Sequence, residues 1–64
     1  MKKNDLRNLR KRRKALGLSQ MELARLVGVS LLTVQLWERG VSEPKPENRG
    51  KLEQVLAELE KSLS

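Results

Sequence analysis

The sequence contains no histidine and no cysteine, and Trp37 is its only aromatic residue. Without these two residue types, no disulfide can stabilise the fold, and the usual zinc ligands, the imidazole base and the thiol nucleophile are missing. We therefore expect no metal site, no cofactor, no small-molecule ligand and no enzymatic activity. A chain of 64 residues holds one small aliphatic core, so we expect a single domain over residues 1–64.

Long apolar runs are absent as well, which excludes a transmembrane helix. The N-terminus is rich in lysine and arginine, but no continuous apolar stretch follows it, so we expect no signal peptide. These features predict a soluble, intracellular protein that does not span a membrane. The first segment also lacks the bulky aromatic anchors of interfacial helices, so we expect no membrane partner.

Positive charge is concentrated at one end of the chain. The formal net charge is +6. Residues 1–14 contain eight basic side chains and one acidic side chain, whereas residues 15–64 contain six basic and seven acidic side chains. A local positive field suits a polyanion such as nucleic acid or an anionic membrane surface. The alternative is a basic tail that only keeps the protein soluble.

Aliphatic residues recur at helical spacing almost throughout, and the alternation typical of strands is absent. Glycine and proline separate the segments. The pattern predicts an all-α fold, a compact bundle of four to five short helices. We expect helices over residues 5–16, 19–27, 30–39 and 51–63, and Pro46 can begin a brief additional helix.

The first segment carries a charge on its core-facing stripe. Leu6, Leu9 and Leu16 share one face at 100° per residue, and Arg13 falls within it. Because an unpaired buried charge is very costly, Arg13 needs a carboxylate partner. Glu38, on the flank of the third segment, is the candidate.

Cap residues define the ends of the predicted helices. Asn4 or Asp5 can cap the first segment. Ser19 and Glu22 form an S-x-x-E capping box, and Ser30 is a favourable N-cap. The 19–27 and 30–39 helices are followed by glycines, which permit the positive φ of a helix C-terminus.

Two apolar faces complete the predicted core. The inner face of the 19–27 helix comprises Leu23, Ala24, Leu26 and Val27. The last helix presents a stripe of Leu52, Val55, Leu56, Leu59 and Leu63. This stripe can lie wholly within the core of one copy, or Leu59 and Leu63 can be buried against a second copy.

The second and third segments together have the pattern of a helix-turn-helix motif over residues 19–39. Its positions are Leu23, Ala24, Val27, Gly28, Val29, Val34 and Trp37. A small residue is needed where two steeply crossing helices approach, and a glycine is needed in the tight turn. In this motif the second helix enters the DNA major groove. The alternative is a helical bundle with no role in nucleic-acid binding.

The chain from Leu9 to Leu59 resembles the phage-repressor-like, Cro-type helix-turn-helix family, also known from xenobiotic-response-element regulators. The resemblance rests on LRxxRxxxGLSQxELA at residues 9–24, VGVSxxTVxxWERG at 27–40 and PxPEN at 44–48. It implies a five-helix, lambda-repressor-like fold and an Arg13–Glu38 pair. It also implies sequence-specific binding of double-stranded DNA, often as a homodimer. The implied setting is the cytoplasm of a prokaryote, or a phage, in association with the nucleoid.

The resemblance also assigns roles to individual residues. Recognition-helix positions, whose side chains meet base edges, are occupied by Leu31, Leu32, Gln35 and Leu36. Candidates for phosphate contacts are Gln20, Ser30, Arg10, Lys14, Arg39 and Lys45. Gln35 could contact adenine through two hydrogen bonds, although it could also be a solvated surface residue. We thus predict a repressor-like transcriptional regulator that docks residues 30–39 in the major groove.

One feature departs from the family pattern: leucines occupy positions where polar side chains are usual. Leu32 and Leu36 are predicted to point outward one turn apart, forming an apolar ridge, and Glu43 adds negative charge after the recognition helix. Exposed apolar clusters often mark protein contacts. The alternative function is therefore a protein-interaction module that uses this ridge and the basic N-terminal helix.

Overall fold

The computed structural model describes residues 8–63, which form four helices and no strand. They are α1 (Leu9–Ala15), α2 (Gln20–Val27), α3 (Leu31–Arg39) and α4 (Pro46–Leu63). The predicted all-α bundle is confirmed. The first predicted helix is described only from Leu9 onward, so its caps at Asn4 or Asp5 and its apolar Leu6 lie outside the described residues.

The ends of α2 and α3 are set by the predicted caps. Ser19 Oγ accepts a hydrogen bond from the Glu22 amide at 3.0 Å, and Glu22 Oε1 accepts one from the Ser19 amide at 2.8 Å. Ser30 Oγ accepts from the Thr33 amide at 3.1 Å. Gly28 ends α2 with a φ of 87°. These contacts satisfy backbone groups that a helix end leaves without partners.

All four helices contribute to one core. Its buried apolar members are Leu9, Leu23, Ala24, Val27, Val34, Trp37, Leu52 and Leu56. The half-buried Leu16, Leu18, Val29 and Val55 close its edges. Because the core is aliphatic apart from one indole, its stability rests on hydrophobic burial and close packing.

Leu26 does not belong to this core, contrary to the prediction. Its side chain is 48% exposed, whereas Leu23, Ala24 and Val27 are buried. These three buried side chains define the core-facing direction of α2. At 100° per residue, Leu26 points roughly 105° away from that direction. A hydrophobic residue at that angle sits on the flank of the helix.

The C-terminal helix is longer than predicted. It begins at Pro46 and continues to Leu63, so the brief helix and the 51–63 helix are one element. Proline suits the first turn of a helix, and Gly50 keeps an ordinary negative φ. An interior glycine costs only about 1 kcal/mol relative to alanine, so it weakens the helix without ending it.

Arg13 and Glu38 form a buried ion pair, with side chains that are 8% and 3% exposed. Arg13 Nε donates to Glu38 Oε2 at 2.6 Å, its Nη2 to Glu38 Oε1 at 3.1 Å and its Nη1 to the Leu18 carbonyl at 2.8 Å. The Arg13–Glu38 pair expected from the helical wheel is therefore present. It joins α1 to the end of α3 and to the loop before α2.

Replacing Glu38 by alanine should unfold much of the protein. A buried charge left without its partner costs about 3–5 kcal/mol. A domain of this size commonly has a total stability of about 3–5 kcal/mol. We expect Glu38→Ala to show largely unfolded circular dichroism and Trp37 fluorescence at about 25 °C.

Glu43→Ala is the matched control, because Glu43 is exposed and its nearest arginine contact, to Arg49, is 3.9 Å long. Such a surface pair contributes at most about 1 kcal/mol, so the urea midpoint should move little. Equal midpoints for the two variants would show that burial of the Arg13–Glu38 pair has no energetic consequence.

Candidate nucleic-acid interface

Helices α2 and α3 form a tight helix-turn-helix unit. The amides of Gly28 and Val29 both donate to the Ala24 carbonyl, at 2.8 and 2.9 Å. The positive φ of Gly28 allows the chain to leave α2 in this way. Ala24 is fully buried in the core. The turn therefore fixes the direction in which α3 leaves α2.

A chain of polar contacts extends from the buried ion pair to the outer side of α3. Gln20, the first residue of α2, donates from Nε2 to Glu38 Oε1 at 3.0 Å. Gln35, on α3, donates from Nε2 to Gln20 Oε1 at 3.4 Å. Four side chains from α1, α2 and α3 are thus connected. The sequence pattern identified Arg13 with Glu38 but not the link to the two glutamines.

An open groove of about 430 Å³ lies where these helices meet. It is lined by Arg10, Arg13, Ser19, Gln20, Glu38 and Arg39. Arg13 is neutralised by Glu38, whereas Arg10 and Arg39 are exposed and form no ion pair within residues 8–63. The groove therefore has a net positive charge, which suits a phosphate group.

The carboxylate in this groove stays ionised. Burial alone would raise the pKa of Glu38, but hydrogen bonds from Arg13 and Gln20 outweigh it, together with the charges of Arg13 and Arg10. The pKa of Glu38 is consequently below its ordinary value. An ionised Glu38 accepts hydrogen bonds and donates none.

The predicted base-contacting residues lie along α3 with different exposures. Leu32 is 59% exposed, whereas Leu31, Gln35 and Leu36 are half-buried. The predicted Leu32/Leu36 ridge is therefore only partly open to solvent. The half-buried Gln35 contacts Gln20, which lines the groove.

The predicted phosphate-contacting residues divide into two groups. Arg10, Gln20 and Arg39 line the groove together. Lys14 is exposed at the end of α1, Ser30 caps α3, and Lys45 is exposed just before α4. The second group does not line the groove.

A second ionic cluster was not predicted from the sequence. Arg12 Nε and Nη2 donate to the two oxygens of Glu60 at 2.8 and 2.9 Å, and Nη1 donates to Glu53 at 3.2 Å. These hydrogen bonds raise the pKa of Arg12 and lower that of Glu60, against the opposing effect of desolvation. Glu53 and Glu60 are seven residues apart and so lie on one face of a helix, a spacing that could have revealed the cluster.

The comparison with protein families identifies the fold. A family model described as Helix-turn-helix matches residues 9–60. The chain belongs to this helix-turn-helix family of the Cro/C1 type, whose members are DNA-binding regulators. Comparisons with curated proteins and with solved structures find no match. Among the described helices, none is both long and apolar enough to cross a membrane.

Acidification should destabilise the protein through Glu38. Its folded-state pKa lies below the ordinary value of 4.5, so the unfolded chain binds a proton first as the pH falls. The stabilisation is complete above the ordinary value and is lost as the pH falls through the folded-state value. We expect the free energy of unfolding in urea to decrease as the pH falls below about 5.

In wild type, the pH dependence of the Glu38 side-chain carboxyl ¹³C signal measures this pKa directly, without a variant that leaves Arg13 buried and unpaired. We expect its midpoint below the ordinary value of 4.5. A midpoint at or above that value would contradict the assignment to Glu38.

Proposed function

We propose that the protein is a repressor-like transcriptional regulator that binds specific sequences of double-stranded DNA in the cytoplasm of a prokaryote or phage. The observation that carries this proposal is the positively charged groove beside α3, with Arg10, Gln20 and Arg39 on its walls. In a helix-turn-helix protein the second helix enters the major groove. Here α3 is that helix.

The first turns of α2 and α3 also favour phosphate binding. A helix leaves its first amides without intrahelical acceptors, and its dipole is positive at that end. In α2, the amides of Gln20 and Met21 precede the one that Ser19 caps. A phosphate at this position would meet backbone N–H groups together with Arg10 and Arg39, which form no ion pair within residues 8–63.

Bases would be contacted from the outer side of α3. The Gln35 amide matches the donor and acceptor of adenine in the major groove, and Leu32 can touch a thymine methyl group. The half-buried Leu31 and Leu36 would contribute apolar contact at the edges. This combination favours sites rich in A·T pairs opposite α3.

Two copies would bind together. Leu63 is 67% exposed and Leu59 is half-buried, so the end of α4 has apolar surface outside the core of one copy. Burial of this surface between two copies is favourable. A two-fold dimer would contact two half-sites about one helical turn, ~34 Å, apart.

A selection from random duplex DNA tests the proposal directly. Performed near 0.15 M salt, where non-specific phosphate binding is weakened, it should enrich a palindrome with half-sites about one turn apart. A single half-site would contradict the dimer. A pool without enrichment would contradict sequence-specific binding.

Replacing Arg39 by alanine should weaken binding to all sequences alike. Removing one phosphate contact reduces the salt slope of the logarithm of the affinity by about 1. Lys61→Ala is the control, because it removes the same charge from the last turn of α4, which does not line the groove. A changed preference at a single base pair in Arg39→Ala would contradict the phosphate role.

The second candidate function is a protein-interaction module, which the exposure of Leu32 favours. In that case the apolar side of α3 would bind a protein, and the basic α1 would contact its acidic surface. A selection without enrichment, together with DNA binding only at low salt, would favour this candidate over the regulator.

A further inference from the structure

The outer side of α3 presents a leucine at its centre. Between Leu31 and Glu38, Leu32 is the only exposed residue, with a side chain that is 59% exposed. At 100° per residue, it points about 170° away from the mean direction of the buried Val34 and Trp37. Leu32 is therefore the residue that α3 extends farthest from the core over its first two turns.

The hydroxyl groups next to Leu32 in the chain are engaged within the protein. Ser30 Oγ accepts a hydrogen bond from the Thr33 amide at 3.1 Å and lies 2.8 Å from Thr33 Oγ1. Gln35, one turn further along, is half-buried. The half-buried apolar neighbours of Leu32 on the outer side and flank of α3 are Leu36 and Leu31. The surface around Leu32 is thus mainly apolar.

The major groove of DNA offers one apolar feature to such a surface. Base edges present hydrogen-bond donors and acceptors there, and thymine adds a methyl group at C5. In a helix-turn-helix protein, the N-terminal residues of the second helix contact these edges. Leu32 is the second residue of α3, and its side chain has neither a donor nor an acceptor. The favourable base contact open to it is the C5-methyl group.

We propose that Leu32 recognises the C5-methyl group of a pyrimidine, so that 5-methylcytosine replaces thymine at one position of the DNA site. 5-Methylcytosine carries this methyl group at the same ring position as thymine, whereas cytosine and uracil lack it. A leucine contacts the methyl group without reading the O4 acceptor or N4 donor beside it. Cytosine methylation at that position therefore strengthens binding. The proposal rests on the proposed function, since it requires α3 to lie in the major groove.

The size of the expected effect follows from the burial of one methyl group. Removing a methyl group from an apolar contact lowers the affinity about fourfold. Phosphate contacts do not depend on this group, because it lies on the base edge. Two duplexes that differ by one methyl group therefore report on the base contact alone.

The test compares four duplexes built on the site selected from random duplex DNA. In each set, one thymine of a half-site is kept or is replaced by uracil, cytosine or 5-methylcytosine, with the matching partner base. At one position, wild type should bind the uracil duplex about fourfold more weakly than the thymine duplex. It should bind the 5-methylcytosine duplex about fourfold more tightly than the cytosine duplex. Fluorescence anisotropy near 0.15 M salt measures these affinities.

Variants of exposed leucines assign the effect to one side chain. Leu32→Ala should remove both differences, because the shorter side chain leaves the methyl group in contact with water. Leu32→Met, which keeps a long apolar side chain, should retain them. Leu26→Ala is the matched control, since Leu26 is 48% exposed but lies on the flank of α2. Because Leu32 is outside the core, circular dichroism and Trp37 fluorescence should show that its variants fold.

The outcomes separate this inference from the proposed function. A selected site without thymine, or one in which no exchange of thymine for uracil weakens binding, would overturn methyl recognition while leaving the regulator in place. Differences that persist in Leu32→Ala would also overturn it, as would a 5-methylcytosine duplex that binds no more tightly than the cytosine duplex. A wild-type protein without any base preference would overturn the proposed function and this inference together.

Discussion

The buried pair of Arg13 and Glu38 is the interaction on which the rest of this small structure depends. A charge in an aliphatic core is tolerated only when it is paired and its remaining donors are satisfied, and here the Leu18 carbonyl completes the set. The pair fixes α1 against the end of α3. Since α3 leaves α2 at a tight glycine turn, the three helices of the interface have one relative arrangement.

The same pair determines the charge of the interface. Glu38 neutralises Arg13, so the positive charge of the groove comes from Arg10 and Arg39 at its rim. Its oxygen also meets Gln20. The buried carboxylate thus connects core stability with the polar surface beside α3. From the neighbouring position on α1, Arg12 binds Glu53 and Glu60, which joins α1 to the C-terminal half of α4.

Local sequence patterns were sufficient for most of the fold. The capping box at Ser19 and the glycine after each helix of the motif predicted the ends of α2 and α3, since caps act within a few residues. The prediction was wrong for Leu26 and for the start of α4. The buried face of α2 is narrower than predicted, so Leu26 lies outside it. Gly50 lies inside α4 and does not end the helix, so α4 begins at Pro46.

The sequence by itself determined the helical class, the helix-turn-helix register and the need of Arg13 for a carboxylate partner, because periodicity, caps and an arginine on an apolar stripe are local signals. Only the tertiary structure decided which polar side chains meet. Gln20 and Gln35 are 15 residues apart, and Arg12 and Glu60 are 48 residues apart. Contacts at such separations depend on how helices cross, and helix crossing depends on the packing of the whole core.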